Sequence, residues 1–163
     1  MITWQELPQQ VRAAVQRNVG PIASATPVTG GQNNDFAAIL HRDQDSTEHP
    51  RTLFCKGVKG VSLRMRWLRN EITAGKLAAG IAPDVVFAAD VGDWLVVGFE
   101  HVCGRPADLT PGSVDLPLVA TTVDKIAALP ATGLRPLRNR WSGGNWWAKT
   151  AAEYPDQGSI SRP

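Results

Sequence analysis

Apolar positions recur at helical spacing near the start of the chain. Leu7, Val11, Ala14, Val15 and Val19 fall on one stripe, which predicts an amphipathic helix from Pro8 to Val19, with Pro8 at its first position and Gly20 as its C-terminal cap. Thr3 and Glu6 have the spacing of a capping box, which starts the helix a turn earlier. The period then changes. Ala23 to Val28 and Asp35 to Leu40 read as two short strands bracketing Thr29, Gly30, Gly31, Gln32, Asn33 and Asn34, a run that favours a turn, so a hairpin is predicted. The polar stretch from His41 to Arg51 is an exposed loop leading to a third strand, Thr52 to Val58.

Helical spacing returns between Ser62 and Ala79, where Met65, Leu68, Ile72, Gly75 and Ala79 form the apolar stripe and Arg64, Arg66, Arg69 and Lys76 occupy other faces. Val85 to Val91 and Trp94 to Val102 are apolar and β-branched, and Gly92 with Asp93 suits a tight turn between them. The expectation is an α+β fold: a five-stranded antiparallel sheet with a packed helix. Pro106 and Pro111 then mark a linker, a helix follows from about Leu116 to Leu129, and a polar tail runs from Asp156 to Pro163.

Composition narrows the function. A chain of 163 residues is one ordinary domain by length. Seventeen basic residues stand against fifteen acidic ones with no run of Lys or Arg, which sets nucleic acid aside as a partner. The opening MITWQELPQQ is not a secretory leader. No apolar run approaches the roughly 20 residues needed to span a bilayer, so no membrane partner and a cytoplasmic location are expected. Cys55 and Cys103 read as lone buried thiols of a reducing compartment, and His41, His49 and His101 lack metal-site spacing.

Candidate chemistry begins at Lys56, a charge within the apolar strand Leu53-Phe54-Cys55-Lys56-Gly57. Burying it is costly, so it either snorkels to an edge or meets a specific anion. Glu71, fifteen positions on, lies one turn from Leu68 and Gly75 and borders the helix stripe that faces the sheet. It either pairs with Lys56 or is a solvated carboxylate balancing Arg69 and Lys76. Gly30 and Gly31 permit a loop whose N–H groups close over phosphates, or an ordinary hairpin turn; the G-x-G-x-x-G spacing is absent.

The order helix, glycine-containing hairpin, strand with a lysine, helix with a glutamate, and hairpin running into a linker resembles the small lobe of the kinase-like phosphotransferases that include aminoglycoside and choline kinases. The likeness is closest over Thr29 to Leu40, Leu53 to Gly57 and Gly98 to Leu118, and extends to about Ala152. It implies a protein-kinase-like nucleotide-binding lobe over 1–102, and a linker with the truncated start of a helical large lobe over 103–163. On this resemblance Lys56 holds the α- and β-phosphates of ATP, Glu71 is its partner, the Gly30–Gly31 loop covers the phosphates, and Gln32 and Asn33 add donors at its tip. The segment Phe99, Glu100, His101, Val102 looks like the hinge. The Glu100 carbonyl and Val102 N–H would contact adenine, Phe99 would back its pocket, and His101 would be a packed or solvated residue without an acid–base role.

Phosphoryl transfer also needs a base and ligands for Mg²⁺, which the family carries on the second lobe in an H-x-D-x-x-x-x-N loop and a later aspartate. Neither motif occurs after the hinge: the carboxylates there, Asp108, Asp115, Asp124, Glu153 and Asp156, all lack a histidine two places earlier. The resemblance thus implies a chain that stops before the catalytic loop and is inactive alone, its large lobe separate or missing, with Gly143, Gly144, Trp146 and Trp147 packing between lobes. The alternatives are a non-catalytic nucleotide- or protein-binding module, or a degenerate kinase fragment.

Overall fold

The computed structural model describes residues 1–29, 33–43 and 50–134, together with Lys149, Ala152 and Glu153. Gly30, Gly31 and Gln32, and the stretch holding Trp141, Gly143, Gly144, Trp146 and Trp147, lie outside the described residues. By contact the chain divides into two units, Met1–Thr132 and Gly133–Pro163. All the regular elements described below belong to the first.

These elements are α1 (Gln9–Val19), β1 (Ile22–Pro27), β2 (Phe36–Arg42), β3 (Thr52–Lys59), α2 (Leu63–Leu77), β4 (Val85–Val91), β5 (Trp94–Glu100) and α3 (Leu116–Ala127). The five strands form one antiparallel sheet in the order β1-β2-β3-β5-β4. The capping-box bonds are half formed: Glu6 Oε2 accepts from the Thr3 N–H at 2.7 Å and from the Thr3 hydroxyl at 2.8 Å, which holds the Glu6 carboxyl below its usual range. That turn stays separate from α1, which begins after Pro8, a residue with extended ψ of 140°.

Alternation along the strands gives the sheet two apolar faces. On one, Phe36, Ala38, Leu40, Leu53, Cys55, Trp94 and Val96 are buried with Val11, Val15 and Val19 of α1. On the other, Val58, Leu95, Val97 and Phe99 are buried with Leu68 of α2, and Phe54, Met65, Ile72 and Val85 pack around them. The sheet is therefore sandwiched between one helix on each side, unequally held. α1 buries four residues and α2 buries only Leu68.

Arg42 continues the α1-facing parity of β2 and is buried, where its guanidinium donates to the Val19 carbonyl at the end of α1 and to the Pro50 carbonyl. A buried cation is tolerated here in part because it satisfies one carbonyl that the helix end leaves open and a second in the loop before β3.

Two expectations need correction. β5 ends at Glu100 and not at Val102, because Leu53↔Glu100 is the last pair that β3 supplies on that side. Cys103 consequently lies beyond the strand and is exposed, while Cys55 is fully buried. Burial pushes the Cys55 thiol up to about 12, so it stays neutral where a free thiol ionises. In the native protein Ellman's reagent is expected to titrate Cys103 alone, and both thiols in denaturant; two fast-reacting native thiols would contradict the burial. Because the folded-state value is raised, the Cys55 contribution to stability is whole below about pH 8.5 and lost as pH rises towards 12.

α3 has no buried residue, and Leu118, Val123 and Ile126 are exposed. The linker before it is ordered by Asp115, which pairs with Arg105 at 2.6 Å and accepts from the Asp108 N–H at 2.8 Å. The guanidinium first, and then that N–H, hold the Asp115 carboxyl below its usual range.

Candidate functional site

Within β3, residues 54, 56 and 58 point to the α2 side of the sheet. Lys56 therefore emerges beneath α2 and away from the α1 core. Its ammonium meets Glu71 Oε2 at 2.6 Å, and the pair is partly shielded, with Lys56 22% and Glu71 44% exposed. The carboxylate reaches it because Glu71 follows Leu68 by one turn, and Leu68 is driven into the sheet. The sequence leaves open a solvated Glu71 balancing Arg69 and Lys76. Arg69 instead forms a two-pronged pair with Asp90 of β4, at 2.5 and 3.2 Å.

Two aromatic rings complete the surroundings of the ammonium. Its nitrogen lies 5.5 Å from the ring centroids of both Phe54 and Phe99. These residues face each other across the ladder, Phe54↔Phe99, so one cation sits over two π-faces, each a weak electrostatic attraction. Phe54 is the residue that sequence reading missed. The signal was there: a spacing of two in a strand puts Phe54 and Lys56 on the same face.

The other predicted residues divide by position. Phe99 is buried and belongs to the Lys56 cluster. Glu100 and Val102 lie at the exit of β5, where with Gly80, Ile81, Ala82, Pro83 and Asp84 they line a concavity of about 330 Å³. The Glu100 N–H is used, donating to the Asp84 carbonyl at 2.8 Å. His101 lies within 3.4 Å of the Thr52 hydroxyl, a structural contact. Asn33 is exposed in the connection between β1 and β2. That connection returns to the sheet beside Lys56, since the Asp35 N–H donates to the Gly57 carbonyl at 2.9 Å.

The chain matches no protein-family model, no curated protein and no solved structure. Its own geometry is what bears on function. An ammonium on a strand, steadied by one carboxylate and 22% exposed, has charge to offer an anion, while the rings beside it belong to the α2-side core, Phe99 buried and Phe54 half-buried. Among the described residues, no group of three or more His, Cys, Asp or Glu is placed to hold a metal ion, and no helix is long and apolar enough to cross a membrane.

Proposed function

We propose that this chain is the nucleotide-binding lobe of an ATP-dependent phosphotransferase of the kinase-like class that acts on a small-molecule hydroxyl. The observation that carries the reading is the Lys56–Glu71 contact at 2.6 Å. It joins the strand lysine and helix glutamate that the resemblance picks out, across fifteen residues of sequence. Lys56 would offer its ammonium to the α- and β-phosphates, with Glu71 orienting it. Phe54 and Phe99 would border the base, and the exit of β5 at Glu100 and Val102 would supply backbone groups to its edge. Gly30, Gly31, Gln32 and Asn33 would close over the phosphates. Mg²⁺ would arrive with the nucleotide's phosphates.

The sequence has no H-x-D-x-x-x-x-N segment, so these 163 residues are expected to bind ADP or ATP without turning it over. Titration calorimetry of the chain with ADP tests the reading directly. A saturable isotherm with unit stoichiometry is expected, together with no phosphate release. A folded chain giving no heat with ADP or ATP, with or without Mg²⁺, overturns it. The alternative of a protein-binding module is favoured by one observation, the exposed apolar residues Leu118, Val123 and Ile126 of α3. Its discriminating result is retained partner binding in a chain that ignores nucleotide.

A further inference from the structure

Asp35 is where three pieces of the lobe meet. Its carbonyl accepts from the Ile2 N–H at 2.8 Å, and its own N–H donates to Gly57 at the end of β3 at 2.9 Å. Its carboxylate is divided between two further partners: Oδ2 accepts from the Lys59 N–H at 2.8 Å, and Oδ1 accepts from the Arg64 guanidinium at 2.8 Å. One side chain therefore ties the entry to β2 both to the end of β3 and to the first turn of α2. The ion pair is only partly exposed, with Asp35 at 27% and Arg64 at 38%, so solvent screens it less than a pair at the open surface.

Arg64 and Glu71 are seven residues apart on α2. At about 3.6 residues per turn and about 1.5 Å per residue, they lie on the same side of the helix roughly 10 Å apart along its axis. Leu68 stands between them, and it is the single buried residue of α2. Met65 and Ile72 pack half-buried beside it and Arg69 ties the helix to Asp90 of β4, so what is left to fix is the fine rotation and height of the face that carries Arg64 and Glu71. A roll of one residue, about 100°, would carry Glu71 away from the sheet. The Arg64 and Glu71 contacts, one on each side of Leu68, set that rotation from both ends of the face.

We infer that Asp35 is a positioning residue for the Lys56 site: through Arg64 and the Lys59 amide it fixes α2 at the rotation and height that set Glu71 on the Lys56 ammonium. The inference rests on the proposed nucleotide function for its consequence in binding, but its readout is the Lys56–Glu71 contact itself.

The test is NMR of the full chain, following the Lys56 ammonium signal and the exchange of backbone amides in α1 and α2. Three proteins are compared: wild type, Asp35→Asn, which keeps an oxygen for the Lys59 amide while losing the charge, and Arg64→Gln. Both substitutions are expected to shift the Lys56 ammonium signal and to speed α2 exchange about threefold to fivefold, with α1 changing less than about twofold. The double variant should add little to Asp35→Asn, because the two share one contact. An unchanged Lys56 signal in a folded variant, or equal acceleration in α1 and α2, overturns the inference. Should Asp35→Asn not fold, Arg64→Gln alone decides it by the same two readouts. ADP is titrated into the wild type in a separate series. No response to ADP would end the nucleotide reading while leaving the Asp35 result intact.

Discussion

Replacing Lys56 by alanine should weaken ADP binding about tenfold to a hundredfold while leaving the fold in place, because a charge-assisted hydrogen bond to an ionised partner contributes about 1.5–3 kcal/mol. The fold should survive because Glu71, at 44% exposed, can return to water when its partner goes. The rings of Phe54 and Phe99 lose a cation but keep their packing against the sheet. A drop of less than about 1 kcal/mol in unfolding free energy is expected on this account. Glu71→Gln should cost less affinity than Lys56→Ala, since it removes a neighbour of the anion site and leaves the cation. Calorimetry on the two variants, with circular dichroism as the control for folding, gives the answer. Equal ADP affinity in wild type and Lys56→Ala would move the anion site away from β3.

A larger loss, of stability this time, is expected at Gly98. This glycine lies in β5 on the α1 side of the sheet, paired with Phe87 of β4, whose ring lies across it. A Cβ at position 98 would stand 2.2 Å from Phe87 Cε1 and 2.6 Å from Cδ1. No carbon atoms approach so closely without a bond, and the atoms met are those of a ring packed in the core, so Phe87 must leave its place. Gly98→Val should therefore destabilise the protein by about 3 kcal/mol or more, the range of overpacking compounded by the displaced aromatic ring. Urea unfolding measures it. Adding Phe87→Ala should restore part of the loss, because the new side chain then occupies the space the ring vacates. A Gly98→Val protein as stable as the wild type would show that the ring does not lie over the glycine.

Lys56 and Gly98 differ in how far each could be read from the chain alone. Period-3.6 stripes marked α1 and α2, and alternation marked the strands, because burial of one face is decided locally by spacing. The β4–β5 turn was legible in the same way: Gly92 adopts φ of 60°, a value that suits glycine and few other residues. Lys56 stood out as a charge in an apolar strand, and Glu71 as a carboxylate bordering an apolar stripe. Each was visible as an anomaly with an unsettled partner. Gly98 carried no such mark, since the ring that covers it comes from the neighbouring strand.

Tertiary structure decided the partners. The strand order places β5 between β3 and β4, a non-sequential neighbour that no local period encodes, and it is this order that sets Phe99 opposite Phe54. The arginines of α2 read only as lying off the apolar stripe, and Arg64 and Arg69 reach Asp35 and Asp90 on two different parts of the sheet. Cys103 and Val102 read as the end of a strand, but the β3–β5 pairing stops at Leu53↔Glu100. What the sequence determined alone was the list of elements and the odd residues within them, since those follow from the chain's own spacing. Which odd residues meet was decided only when the sheet was assembled, because each such contact joins segments whose separation along the chain carries no periodic signal.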